Sequence, residues 1–157
     1  MIRNFIFSIF FYIGIILICI IFFPSLFLPY KICLAGGKLM GYWAKFCLNI
    51  FMSTKIIVKG KENIPKNEKF FIACSHQSMF ETFFLQTIFE SPVFILKKEL
   101  LSIPVFGWYL KKIKSISIDR NKISKKNLDF YEKIKLSYKN SNRPIIIFPQ
   151  ATRLEPN

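Results

Sequence analysis

The sequence is short of acidic residues, histidine and glycine. Its 157 residues include 9 Asp and Glu against 23 Lys and Arg, one His, 6 Gly and 4 Cys, and the formal net charge is +14. So little glycine excludes a collagen-like chain, and a hydrophobic fraction of 52% excludes global disorder. The length is that of about one domain.

The cysteines form no C-x-x-C pair, and no zinc-binding spacing occurs. They are scattered in apolar surroundings, as expected for buried, reduced thiols on a cytosolic face. The chain also lacks a Gly-rich phosphate loop, a nucleotide fingerprint and an RNA-binding aromatic motif, so its basic charge does not indicate a nucleic-acid partner. The cysteines are Cys19, Cys33, Cys47 and Cys74.

The apolar residues are concentrated near the amino terminus, where no charged residue occurs from Phe5 to Phe23. As a helix this run would span about 28 Å, close to the thickness of bilayer hydrocarbon. It is too long for a cleaved secretory signal, and no A-x-A cleavage pattern follows it. The run therefore predicts a membrane anchor, either spanning or re-entrant.

Basic residues are unequal on the two sides of this run, because Arg3 precedes it whereas Lys31, Lys38 and Lys45 follow it. The positive-inside tendency places the rest of the chain in the cytoplasm, where a basic domain is drawn to anionic membrane lipids. The seven-residue spacing of the lysines predicts a helix over residues 31–52. Two interpretations stay open: a helix lying on the membrane surface, or a core helix with a solvated basic stripe.

Residues 53–157 differ in sequence pattern from the membrane anchor and interfacial helix predicted over residues 1–52. Short β-branched or aromatic runs alternate with helical patterns, which predicts an α/β domain with a mostly parallel or mixed sheet flanked by helices. The predicted strands are Lys55–Lys59, Phe70–Cys74, Val93–Leu96, Ile116–Ile118 and Ile145–Phe148, and the predicted helices are Met79–Glu90, Leu100–Lys112 (with Pro104 near its middle or at a new start) and Ser124–Asn140.

The only histidine, His76, follows a predicted strand and precedes a predicted helix. Glu81 lies in the first turn of that helix, where its carboxylate could orient the imidazole so that one nitrogen takes a proton. An alternative explains Glu81 without chemistry, because Ser78 to Glu81 reads S-x-x-E, a helix capping box. Both interpretations of Glu81 stay open from the local sequence.

Two of the four arginines, Arg120 and Arg153, come just after predicted strands. The carboxyl ends of parallel strands share one edge of a sheet, so these side chains are expected to converge there. The planar guanidinium binds phosphate through two parallel hydrogen bonds, which makes both residues phosphate-binding candidates. Each could instead be a surface arginine in an ion pair.

Four sequence blocks together resemble the glycerolipid acyltransferase family. Residues 75–81 (S-H-Q-S-M-F-E) resemble the family's H-x4-D motif in its Glu-bearing bacterial form. Residues 98–120 look like its second block, residues 148–153 (F-P-Q-A-T-R) look like its F-P-E-G-T-R block, and residues 58–65 are similar to its lead-in. The order and spacing match over about residues 55–153, and the predicted anchor suits the bacterial 1-acyl-glycerol-3-phosphate acyltransferases.

The resemblance implies transfer of an acyl chain from acyl-CoA or acyl carrier protein to lysophosphatidic acid, giving phosphatidic acid at the cytoplasmic face of a bacterial inner membrane. It implies that His76 is the general base, that Glu81 orients the ring, and that no metal or bound cofactor is needed. It further implies that Arg120 and Arg153 hold the acceptor phosphate. Additional substrate contacts are expected from Lys98, Gln150 and Thr152.

The sequence departs from the family pattern at several positions. Gln150 stands where the family has Glu, Ala151 replaces Gly, and Lys114 stands where Gly is expected. Family members continue beyond the third block with another strand and a fourth motif, so we expect a C-terminally truncated member whose strand Ile145–Phe148 lacks a neighbour. Two alternatives therefore remain: an inactive member that binds membranes through its basic charge, or an acyltransferase for glycerol 3-phosphate or another lysophospholipid.

Overall fold

The computed structural model describes residues 2–66, 68–119 and 127–149. Within these ranges the chain divides into two compact units, a helical unit (Met1–Ile64 with Ser78–Phe89) and a sheet unit (Pro65–Gln77 with Glu90–Asn157). The elements are α1 (Ile2–Ile21), α2 (Tyr30–Met52), β1 (Phe71–Ala73), α3 (Phe80–Ile88), β2 (Val93–Lys97), α4 (Phe106–Lys112), β3 (Ile116–Ile118), α5 (Asn127–Asn140) and β4 (Ile145–Ile147), with short 3-10 helices at Phe23–Phe27, Lys61–Asn63 and Lys98–Ser102.

Helix α1 is the one described helix that is long and apolar enough to cross a membrane, judged by length and composition. Only 22% of its most apolar stretch is buried within the protein. A core helix of a soluble domain would bury a far larger share, because apolar side chains lose free energy when they leave water. The outer surface of α1 is therefore mostly apolar, with exposed Arg3, Asn4 and Ser8 confined to its first two turns.

Glycines let the helices of the helical unit approach each other closely. A Cβ on Gly14 of α1 would collide with the indole of Trp43 in α2, and the Trp43 Nε1–H donates to the Phe11 carbonyl oxygen at 3.3 Å. A Cβ on Gly41 of α2 would lie 2.5 Å from the Phe83 carbonyl oxygen of α3. These contacts offset the helix propensity lost at each glycine, about 1 kcal/mol.

The predicted helix over residues 31–52 is confirmed as α2, whose inner face is buried against α1 and α3. Its outer face carries the lysines together with large apolar side chains. Ile32, Leu39 and Phe46, which directly follow Lys31, Lys38 and Lys45, are 40%, 42% and 50% exposed. The helix therefore exposes a mixed basic and apolar stripe rather than a purely solvated one.

The four strands form one parallel sheet in the order β1-β4-β2-β3. Ile145 of β4 lies opposite Phe71 of β1 on one side and Val93 of β2 on the other. The expectation that this strand lacks a neighbour is therefore wrong, because β4 is paired on both sides. The core of the unit comprises Val93, Ile95, Ile116 and Ile145, against which Phe130 and Ile134 of α5 pack.

Two predicted elements differ from the structure. Residues Lys55–Lys59 form no strand, because β-branched side chains favour extended backbone but a strand also needs a hydrogen-bonded neighbour. The helix predicted over Leu100–Lys112 is interrupted at Pro104: a 3-10 helix precedes this residue, and α4 starts two residues after it. Proline disfavours helical backbone at the residue before it, so Pro104 marks a new start.

Arg143 joins three backbone segments of the sheet unit. Its guanidinium donates to the carbonyl oxygens of Ser91 at 2.6 Å, Ile113 at 2.8 Å and Pro92 at 3.1 Å. Two of these carbonyls immediately precede β2, and the third follows α4. The planar fork of the guanidinium suits several acceptors at once, so Arg143 holds the entrance to β4 against the start of β2.

Candidate functional site

Two of the predicted site residues follow the carboxyl ends of parallel strands, which share one edge of the sheet: His76 comes three residues after β1, and Lys98 directly after β2. Phe148, which was not predicted as a site residue, comes directly after β4. Loops at this edge are where α/β proteins bind ligands. The topology therefore brings the chain from three different strands to the same edge of the sheet.

The ends of β1 and β4 are tied together beyond their last paired residues. The Cys74 N–H donates to the Ile147 carbonyl oxygen at 3.0 Å, which extends the ladder by one step. Just beyond it the rings of His76 and Phe148 lie with centroids 4.6 Å apart and planes inclined at 38°. Phe148 is only 9% exposed, and His76 is half-buried. An aromatic residue of the third sequence block thus contacts the only histidine.

Glu81 caps helix α3, as the capping-box interpretation predicts. Its carboxylate accepts the Ser78 N–H at 2.9 and 3.0 Å and the Ser78 hydroxyl at 3.1 Å, while the Ser78 hydroxyl oxygen accepts the Phe80 N–H at 3.1 Å. The Ser78–Glu81 bonds expected of a capping box are confirmed, but the helix begins at Phe80 with Met79 as its N-cap, one residue later than predicted. The role of Glu81 towards His76 stays a prediction.

Lys98 opens the 3-10 helix after β2 and is exposed. Its neighbours Lys97 and Glu99 form an ion pair at 3.5 Å with both side chains about half exposed. Such exposed pairs contribute about 0 to 1 kcal/mol. This ion pair therefore adds little to the stability of the fold. Lys98 itself is exposed to solvent at the carboxyl edge of the sheet.

The remaining predicted contacts lie outside the described residues. They are Arg120, Gln150, Thr152 and Arg153, and their roles stay predictions. Within residues 2–66, 68–119 and 127–149, no group of three His, Cys, Asp or Glu side chains is placed to hold a metal ion.

The contact of Phe148 with His76 was not predicted, because the sequence shows Phe148 only as the last residue of a buried strand and the first of the F-P-Q-A-T-R block. The pairing of Phe71 with Ile145 fixes which residues follow the two strands side by side. That register depends on β4 lying next to β1, which hydrophobic runs alone do not specify.

The chain is an α/β protein, with an apolar N-terminal helix and a parallel sheet flanked by helices. The same fold occurs in the crystal structure of the 1-acyl-sn-glycerophosphate (LPA) acyltransferase PlsC from Thermotoga maritima, with a TM-score of 0.71 and 23% identity. The match covers 98% of this chain and 63% of that chain.

The family follows from the sequence comparison. The Acyltransferase family model matches residues 55–157, which is about two thirds of the chain, so the chain belongs to the Acyltransferase family. This confirms the family resemblance of the four sequence blocks.

Individual relatives agree with this assignment. A Pseudomonas aeruginosa protein named 1-acyl-sn-glycerol-3-phosphate acyltransferase is 37% identical over 117 residues, 71% of this chain and 44% of that protein. Proteins of the same name from Saccharomyces cerevisiae and Helicobacter pylori are 29% and 36% identical, over 68% and 52% of this chain and 35% and 34% of their own lengths. The chain thus spans less than half the length of these curated relatives.

Proposed function

We propose that this chain is an O-acyltransferase that transfers an acyl chain from acyl-CoA or acyl carrier protein to the free hydroxyl of 1-acyl-glycerol 3-phosphate, giving phosphatidic acid. Membership of the Acyltransferase family supports the reaction type. The shared name of the relatives from three organisms supports the acceptor.

The observation that carries the proposal is the position of His76 at the carboxyl edge of the parallel sheet, inside an H-x4-E sequence. It is the only imidazole in the chain, so any histidine chemistry must use it. His76 comes three residues after β1, at the edge of the sheet where the loops of α/β proteins form ligand sites.

In the proposed reaction His76 takes the proton of the acceptor hydroxyl as its oxygen attacks the thioester carbonyl carbon. The carbon–sulfur bond then breaks, and the proton passes to the departing thiolate, so no redox partner is required. General-base help of this kind is worth about 10² to 10⁴-fold. Glu81 orients the imidazole by accepting a hydrogen bond from one ring nitrogen, which leaves the other nitrogen to take the proton.

Phosphate recognition is assigned to Arg120 and Arg153, with further substrate contacts from Lys98, Gln150 and Thr152. Arginine matches the phosphate group through a planar pair of donors. Gln150 keeps the reach of the family's glutamate but carries no charge, so it can orient a substrate group without acting as a base.

Attachment to a membrane completes the proposal, because the acceptor is a lipid. Helix α1 supplies an apolar outer surface of spanning length, and α2 places an exposed apolar residue beside each of its three lysines. Such a stripe suits a helix in the headgroup layer, with lysines on anionic phosphates and apolar side chains among the acyl chains. The excess of lysines after α1 supports the proposal that the domain lies on the cytoplasmic face of a bacterial inner membrane.

The test is an acyl-transfer assay with the full chain in lipid vesicles, using acyl-CoA and acyl carrier protein as donors. Lysophosphatidic acid, glycerol 3-phosphate and a neutral lysophospholipid serve as competing acceptors. We expect phosphatidic acid as the main product, its loss in His76→Ala, and its retention in the adjacent surface variant Gln77→Ala. Salt-sensitive vesicle binding without transfer from either donor would instead support a basic membrane-binding module.

A further inference from the structure

We propose that Phe148 is a positioning residue, whose ring fixes the plane of the His76 imidazole in the orientation that proton transfer requires. This inference rests on the proposed function, in which His76 is the general base. It starts from the ring contact, with centroids 4.6 Å apart and planes inclined at 38°. Phe148 carries no titratable group, so it acts through His76 and not on the substrate.

The Phe148 ring is itself held rigidly. Phe148 follows β4, one of the two inner strands of the sheet, and its side chain is 9% exposed. In the strand before it, Ile145 and Ile146 are buried and Ile147 is partly buried. The bond from the Cys74 N–H to the Ile147 carbonyl oxygen joins the chain just before Phe148 to the chain just before His76. A closely packed core has low compressibility, so the position of the strand fixes the position of the Phe148 ring.

A ring provides a constraint that an aliphatic side chain of similar volume does not. Aromatic pairs prefer defined inclinations and centroid separations, whereas aliphatic contacts are non-directional. The torsion about the imidazole Cβ–Cγ bond has intrinsically shallow minima, so the Phe148 ring restricts the imidazole plane in addition to the orienting role proposed for Glu81. Only one plane directs a ring nitrogen at the hydroxyl proton, so restricting that rotation favours the reactive geometry.

The experiment compares Phe148→Leu with Phe94→Leu in the full chain reconstituted in lipid vesicles or nanodiscs. Phe94 lies in the adjacent strand β2 and is 6% exposed, so its replacement removes a similarly buried ring from the same unit. We expect Phe148→Leu to lower kcat by about 10²-fold with little change in KM. We expect Phe94→Leu to keep kcat and Phe148→Tyr to restore most of it.

A spectroscopic measurement reports the ring contact without relying on activity. The protein has one histidine, so isotope-labelled histidine gives a single set of imidazole signals. We expect cross-relaxation between the His76 and Phe148 ring protons in the wild type. We also expect a changed His76 proton shift in Phe148→Leu, where the ring current is lost, and an unchanged shift in Phe94→Leu.

The outcomes separate this inference from the proposed function. A wild type that transfers acyl chains, beside a folded Phe148→Leu variant with wild-type kcat, overturns the positioning role alone. If Phe148→Leu does not fold, absence of the ring-to-ring cross-relaxation in the wild type overturns it as well. A wild type inactive with every donor and acceptor overturns the proposed function and with it the kinetic role of Phe148, while the spectra still report the ring contact.

Discussion

The guanidinium of Arg143 donates a hydrogen bond to the carbonyl oxygen of Ile113 at 2.8 Å, thirty residues earlier in the chain. The same group also bonds the carbonyl oxygens of Ser91 and Pro92. One side chain thus links the end of α4, the start of β2 and the entrance to β4. Arg143 is structural, unlike the two arginines assigned to phosphate.

Replacing Arg143 by Lys should therefore destabilise the sheet unit. Lysine keeps the charge, but its single ammonium cannot reach three carbonyls in the geometry of the planar fork. Loss of one or two hydrogen bonds to a charged donor should cost about 2 kcal/mol in the free energy of unfolding. Denaturant unfolding checks this, with the exposed Lys135→Arg as the matched control. Equal stability of both variants would contradict the bracing role of Arg143.

Replacing Gly14 by Leu should disrupt the packing of α1 on α2. The added side chain would occupy the space of the Trp43 indole and break its bond to the Phe11 carbonyl, at a cost of about 1–3 kcal/mol for overpacking. The fluorescence of Trp43, measured in a Trp108→Phe background, should shift as the indole is displaced.

The neighbouring Ile13→Val is the control for Gly14→Leu, because Ile13 is 50% exposed and can shrink without meeting α2. Identical Trp43 spectra in the two variants would show that Gly14 is not a close-approach point between the helices.

Cys47 should resist alkylation in the folded protein. The residue is fully buried, and desolvation raises the pKa of its thiol, so a smaller fraction is thiolate at any pH below that value. The thiolate is the nucleophile, so its reaction with iodoacetamide should be slow relative to that of the partly exposed Cys74. Mass spectrometry of time-resolved labelling measures both sites, and denaturant should remove the difference. Equal labelling rates in the folded protein would refute the burial of Cys47.

Glu81→Gln should separate the capping role of this residue from its proposed catalytic role. Glutamine can still accept the Ser78 N–H, because both Glu and Gln serve in capping boxes, so stability should change by less than about 0.5 kcal/mol. If Glu81 orients the imidazole as proposed, loss of the carboxylate charge should lower kcat by about 10²-fold or more.

Glu81→Ala is the companion variant, which should lose both activity and about 1 kcal/mol of stability with the cap. Wild-type kcat in Glu81→Gln would leave Glu81 as a helix cap alone.

Most of the sheet could be predicted from the sequence, because its strands are continuous apolar runs. Val93–Leu96 is buried throughout and Ile145–Phe148 is buried except for the partly exposed Ile147, as expected for strands of a parallel sheet, and the structure contains β2 and β4 there. Lys55–Lys59 has the same β-branched composition yet forms no strand, since composition does not show whether a neighbour is available. The order of the strands depends on such pairing and was not predicted.

The candidate site was predicted to a similar extent. His76 could be identified because it is the only imidazole and because it follows an apolar strand. The capping box of Ser78 and Glu81 was also readable, since it depends on four consecutive residues. The contact of His76 with Phe148 joins residues far apart in the chain, so it could be seen only once β1 and β4 were known to be adjacent.

The central place of β4 affects how the nascent chain folds on the ribosome. Strands β1 and β2 are synthesised first, but each bonds to β4 and not to the other. The edges of β1 and β2 that pair with β4 therefore have no hydrogen-bonding partner until Ile147 has been synthesised and has left the exit tunnel. During that interval an apolar helix and two open strand edges are exposed together, so early membrane capture or a chaperone would protect the chain from aggregation.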